Sequence, residues 1–189
     1  MGKLIGILGR KRSGKDTIGN YMVEKYNYKR YAFADPIKDI SKIMFDLSEQ
    51  QLNEDKEKID ERWGISPRTF LQKFGTEICR NNLETYIPNI ILDGETIWIK
   101  LFRIFYEKNK DKDIVITDVR FLDELNVIKS FGGKIVKVNR DNLEKDTHSS
   151  EKDIDSYDNE LIDYFVDNNY TFEDLFSQMD TFLNLIILE

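Results

Sequence analysis

Leu4-Ile5-Gly6-Ile7-Leu8 is an apolar run with no polar alternation, the pattern of a strand buried on both faces, and Gly9 ends it. From Thr17 to Tyr26 the spacing changes to that of a helix, with Ile18, Tyr21, Met22 and Lys25 recurring at helical intervals. Tyr28 to Phe33 predicts a second strand. Asp35 before Pro36 then reads as an N-cap ahead of proline at the first helical position, opening a helix through Ile37, Ile40, Ile43 and Met44. From Ser48 to Arg62 charges dominate, which predicts a solvated helix or a mobile excursion.

Ser66-Pro67 is a second cap-plus-proline pair and starts a helix over Arg68 to Arg80, and another helix is expected from Thr96 to Lys108. Asp113 to Asp118 is an apolar strand closed by a carboxylate, Leu122 to Phe131 a helix stopped by Gly132-Gly133, and Lys134 to Val138 the next strand. Asn139 to Asp158 is polar and loop-like, Leu161 to Val166 a last strand, and Thr171 to Leu185 a last helix capped by Thr171. Alternating strands and helices predict an α/β fold with a mostly parallel sheet covered on both faces. Ligands are then expected beyond the carboxyl ends of the strands, where Gly9, Asp118 and Asn139 fall.

Twelve Phe and nine Tyr within a 40% hydrophobic chain exclude a disordered polymer, and the 189 residues suit one domain with short excursions. The net charge of −7 argues against a whole-surface footprint for nucleic acid. No apolar run approaches the roughly 18 to 20 residues of a membrane span. A single cysteine, Cys79, and the early charges of MGKLIGILGRKRSGK lead us to expect a reducing cytoplasm and no membrane partner.

Locally the charge reverses: four of the seven residues from Gly9 to Lys15 are cationic. Gly9-Arg10-Lys11-Arg12-Ser13-Gly14-Lys15 matches the G-x-x-x-x-G-K phosphate loop, between a buried strand and a helix as that motif requires. The glycines let backbone N–H groups wrap a polyphosphate, the helix N-terminus adds its positive end, and Lys15 reaches the β- and γ-phosphates. After the lysine stands Asp16 rather than Ser or Thr, with Thr17 next, so a Mg²⁺ ion would be held by this pair directly or through water.

Asp118, Arg120 and Glu124 place acid, base and acid within one strand-to-helix turn. On the helix after Pro67, regular α-helical phase puts Arg68, Gln72, Gly75 and Thr76 on one face, a set able to bind a phosphate and read a base edge, or merely a solvated polar stripe. Trp98 reads as core or as a stacking surface. Arg140 follows a strand and opens the polar stretch ending His148-Ser149-Ser150-Glu151, which has the makings of a closing flap.

These residues resemble the deoxynucleoside monophosphate kinases of the phage type. The resemblance rests on GRKRSGKDT (9–17), FADPIK (33–38), SPRTFLQKFGTEICR (66–80), ITDVRFLDE (116–124), GGKIVKVNR (132–140) and HSSE (148–151), in that order. It implies a P-loop NTPase-like fold with sheet order 2-3-1-4-5, a core over about 1–47, 113–138 and 159–189, a substrate-binding helical excursion over about 48–112 and a short lid over about 139–158. It also implies ATP held by Arg12, Ser13, Gly14, Lys15, Asp16 and Thr17, and a monophosphate acceptor held by Arg10, Arg68, Thr69, Gln72, Gly75, Thr76, Trp98, Asp118, Arg120 and Glu124. Lys15, Arg120 and Arg140 would be catalytic, Mg²⁺ a cofactor, and a homodimer the compatible assembly. Expected, then, is an ATP- and Mg²⁺-dependent kinase making deoxynucleoside diphosphates. A small-metabolite kinase such as a phosphomevalonate kinase and a non-kinase ATP-binding switch are the competing readings.

Overall fold

The computed structural model describes residues 2–141, 143, 154 and 156–187. In chain order the first elements are β1 (Leu4–Leu8), α1 (Lys15–Tyr26), β2 (Lys29–Tyr31), α2 (Asp35–Phe45), α3 (Glu49–Asn53) and α4 (Pro67–Gln72). A π-helical stretch, Lys73–Arg80, continues α4. Then come α5 (Leu83–Tyr86), α6 (Ile97–Glu107), β3 (Ile114–Val119), α7 (Leu122–Ser130), β4 (Lys134–Asn139), β5 (Tyr164–Asp167) and α8 (Phe172–Leu185). The chain divides into two compact units, Met1–Ala32 with Lys108–Glu189, and Phe33–Glu107.

In the first unit the five strands form one parallel sheet in the order β2-β3-β1-β4-β5, as the resemblance implied. All five residues of β1 are buried, because α1 and α8 cover one face through Ile18, Met22, Leu175 and Met179 while Ile128 of α7 meets Gly6 on the other. Each fully buried aliphatic side chain of this kind contributes about 1.5–3 kcal/mol. Tyr21 stacks on Phe176 at 4.0 Å, and Asp180 of α8 accepts hydrogen bonds from Tyr21 and Tyr26 of α1, both at 2.6 Å. The edge strand β2 exposes Lys29 and Arg30, charges that discourage pairing with another chain.

The β1–β3 ladder slips between Gly6 and Leu8: Gly6 pairs Ile116 but Leu8 pairs Val119, so Thr117 and Asp118 together stand opposite Ile7. This bulge comes directly before the strand-to-helix turn of Asp118 to Glu124.

The second unit is helical. Phe33 packs against Phe102 at 5.4 Å and Phe45 against Phe70 at 4.3 Å, and α6 buries Trp98, Ile99, Phe102 and Tyr106 at helical spacing. One expectation is corrected here and another is extended. Asp35 is not the cap of α2: the helix begins at Asp35, and the N-cap is Ala34, whose methyl side chain has no acceptor to offer an N–H. The charged stretch after Ser48 opens with the expected solvated helix, α3, in which only Leu52 is buried, and an ordered turn follows it. It folds around a buried carboxylate: Asp60 receives two hydrogen bonds from the Arg62 guanidinium at 2.7 and 3.0 Å and one from Gln51 at 2.7 Å, while Arg62 also binds Asp46 at 2.9 Å. The guanidinium holds the Asp60 carboxyl well below the usual carboxylate range.

Candidate functional site

The phosphate loop leaves β1 at Gly9. Ser13 N–H closes a tight turn onto the Arg10 carbonyl at 3.1 Å, and α1 starts at Lys15. Gly14 has φ 103°, a left-handed conformation that side chains resist, and Arg12 adopts φ 65°, which costs a non-glycine residue about 1–2 kcal/mol. At Gly9 a Cβ would lie 2.6 Å from Ser13 Oγ and 2.9 Å from the Val138 carbonyl, so glycine is required there by close approach.

Lys15 is buried, and its ammonium donates to the carbonyls of Gly9 and Arg10, both at 2.7 Å. The loop thus curls around its own cation. Arg140, just past the end of β4, donates from Nη1 to the Arg12 carbonyl at 3.1 Å, so Lys15 and Arg140 each bind a carbonyl of this loop. Ser13 Oγ is buried without a hydrogen-bond partner, an orphaned hydroxyl at the base of the loop. Left-handed turns, two cations held on loop carbonyls and this unmatched hydroxyl fit a polyphosphate. Asp16 is exposed and Thr17 half-exposed in the first turn of α1. They are hard oxygen donors of the kind Mg²⁺ accepts when phosphates and water complete its shell. Among the described residues no group of three or more His, Cys, Asp or Glu forms a ready-made metal cage.

At the end of β3, Asp118 is half-buried and Glu124 fully buried. Glu124 accepts from the backbone N–H groups of Arg120 at 2.8 Å and Phe121 at 3.1 Å, and so fixes the turn that carries Arg120. Tyr157 completes the brace by donating to the Arg120 carbonyl at 2.8 Å.

In the second unit Ser66 caps α4 as expected, accepting from Thr69 N–H at 3.2 Å. Arg68 carries a partner that sequence reading missed: its Nε donates to Glu57 at 3.1 Å, and its own N–H binds the Lys56 carbonyl at 2.8 Å. The expected single α-helical face of Arg68, Gln72, Gly75 and Thr76 needs correction, because the helix widens to a π-helix from Lys73. Asn81 N–H reaches back five residues to the Thr76 carbonyl at 3.1 Å. A wider turn advances each residue through a smaller angle, and Gly75 leaves the line: it is buried, whereas Arg68, Gln72 and Thr76 are half-exposed.

The widening has a visible partner. Trp98 is 6% exposed, and its indole N–H donates to the Gly75 carbonyl at 3.0 Å, which competes with the helix's own ladder. Trp98→Phe keeps the ring but strands that carbonyl; we expect a loss of about 1–3 kcal/mol in a thermal or denaturant melt. An unchanged melt with weakened nucleotide binding would instead make the indole a stacking surface. The motif His148 to Glu151 lies outside the described residues.

A family model described as deoxynucleotide monophosphate kinase matches residues 3–58 and 39–179. A protein of Acanthamoeba polyphaga mimivirus named "Putative deoxynucleotide monophosphate kinase" is 38% identical over 188 residues, spanning 93% of each chain. Among solved structures, shikimate kinase from Aquifex aeolicus aligns with a TM-score of 0.49 at 17% identity over 96% of each chain. Dephospho-CoA kinase from Campylobacter jejuni aligns with 0.48 at 14% identity over 98% of each chain. So distant a likeness says nothing of a substrate.

Proposed function

The chain belongs to the deoxynucleotide monophosphate kinase family, and from that premise we propose that it moves the γ-phosphoryl group of ATP to a deoxynucleoside 5′-monophosphate, giving the diphosphate. The observation that carries the reading is the phosphate loop, where Lys15 and Arg140 meet backbone carbonyls of one seven-residue turn. In our reading Arg12 to Thr17 bind the donor, and Lys15 and Arg140 neutralise charge as it shifts from the leaving to the accepting oxygen. Asp16 and Thr17 would hold Mg²⁺, which supplies further charge neutralisation on the phosphates when bound.

Unit by unit, the residues we assign to acceptor binding are Arg10, Asp118, Arg120 and Glu124 in the first and Arg68, Thr69, Gln72, Gly75, Thr76 and Trp98 in the second. Arg120 in the first unit and Arg68 in the second are each assigned as a cation for the acceptor's phosphate. Gln72 reads the base, and Glu124 and Trp98 act by holding the Arg120 turn and the Gly75 carbonyl. No general base is needed, since a phosphate acceptor is already ionised and positioning does most of the work. The reading extends to cytoplasmic action on small nucleotides rather than nucleic acid, with a homodimer as the compatible assembly. Among the described residues no helix is long and apolar enough to cross a membrane.

The test is a coupled ADP-release assay with Mg-ATP against dAMP, dCMP, dGMP, dTMP, their ribose analogues and phosphomevalonate, beside a no-acceptor control. We expect turnover that depends on a deoxynucleotide. ADP release without acceptor would point to an ATPase or switch, and turnover on phosphomevalonate alone to the metabolic kinase.

A further inference from the structure

Asn168 follows β5, is 9% exposed, and plays no part in the mechanism above. Its Nδ2 donates to the Ser13 carbonyl at 2.7 Å, and its backbone N–H binds the Asn139 carbonyl at the end of β4 at 2.8 Å. A Cβ on Gly14 would fall 2.3 Å from the same Nδ2, so the amide sits directly against the loop. The peptide joining Ser13 to Gly14 is planar and trans, as no cis bond occurs, so its C=O and N–H point in opposite directions. Whatever holds the Ser13 carbonyl therefore also aims the Gly14 N–H.

We propose that Asn168 is a positioning residue for the phosphate loop: by fastening the Ser13 carbonyl to the ends of β4 and β5 it keeps the Gly14 N–H turned toward a bound polyphosphate. The proposal rests on the reading of residues 9–15 as a polyphosphate site. Its energetic basis is pre-organisation. A loop containing two left-handed residues must otherwise pay its ordering entropy at each binding event. Asn suits the place because a carbonyl needs a donor and a charged donor here would have to be buried.

The experiment is calorimetric titration of the full chain, wild type and Asn168→Ala, with inorganic tripolyphosphate and separately with ATP, alongside thermal melts and steady-state kinetics. We expect Asn168→Ala to weaken tripolyphosphate and ATP alike by about tenfold or more, to raise the KM for ATP and to leave the acceptor KM unchanged. Asn168→Leu, which fills the vacated volume without a donor, should behave the same and decides the matter if the alanine variant does not fold. Weakened ATP with unaltered tripolyphosphate would overturn the proposal by assigning Asn168 to the nucleoside. A lower melting point with both affinities intact would overturn it in favour of a purely structural role. Wild-type protein that binds neither probe would overturn the loop assignment itself, a failure distinct from the other two.

Discussion

Lys15→Ala lowers kcat/KM by at least about three orders of magnitude while shifting the thermal midpoint by only a few degrees. The ammonium is the one buried cation within the phosphate loop, so Arg10, Lys11 and Arg12, which are more exposed, do not replace its stabilisation of transferring charge. In the free enzyme it satisfies the carbonyls of Gly9 and Arg10, so alanine also loosens the turn. That loss is local, since both carbonyls lie beyond the last residue of β1. Steady-state kinetics and a melt on the same preparation separate the two effects. Near-full activity would remove the phosphate-loop mechanism, and a large fall in midpoint would show that the residue mainly holds the fold.

Arg68→Ala should raise the acceptor KM by about 10- to 100-fold, the worth of a charge-assisted hydrogen-bonded pair, and leave the KM for ATP within about twofold. Stability should barely move, because the Arg68–Glu57 pair has Glu57 largely exposed and such pairs contribute little. Initial-rate measurements varying each substrate in turn check the split. An effect confined to the ATP side would show that the donor and acceptor residues have been partitioned wrongly.

The central strands were legible because burial on both faces leaves a continuous apolar run, as in Leu4 to Leu8 and Ile114 to Ile116. The phosphate loop was legible because two glycines and a lysine at fixed spacing are a local demand of backbone geometry. The caps at Ser66 and Thr171 were readable for the same reason. The π-helical stretch was not, since its companion is an indole that comes close only after α6 has packed. Nor was the ordering of the charged segment, where Asp60 counts as one more acidic residue until Arg62 and Gln51 close on it. Asn168 left a faint trace: an asparagine just after an apolar strand, at the end of the sheet where ligands gather. What links it to Ser13, 155 positions away, is the sheet order itself.

The slip between β1 and β3 makes the length of β3 a functional quantity. Beyond Ile116 that strand runs one residue ahead of its neighbour, so the alternation of faces past that point is set by a count of residues rather than by their identity. Point substitutions at Thr117 leave the count intact. Deleting either Thr117 or Asp118 would leave Val119 opposite Leu8 in regular pairing and remove the local bend that the extra residue puts before the Asp118 to Glu124 turn, so the aim of that turn depends on the length of this stretch.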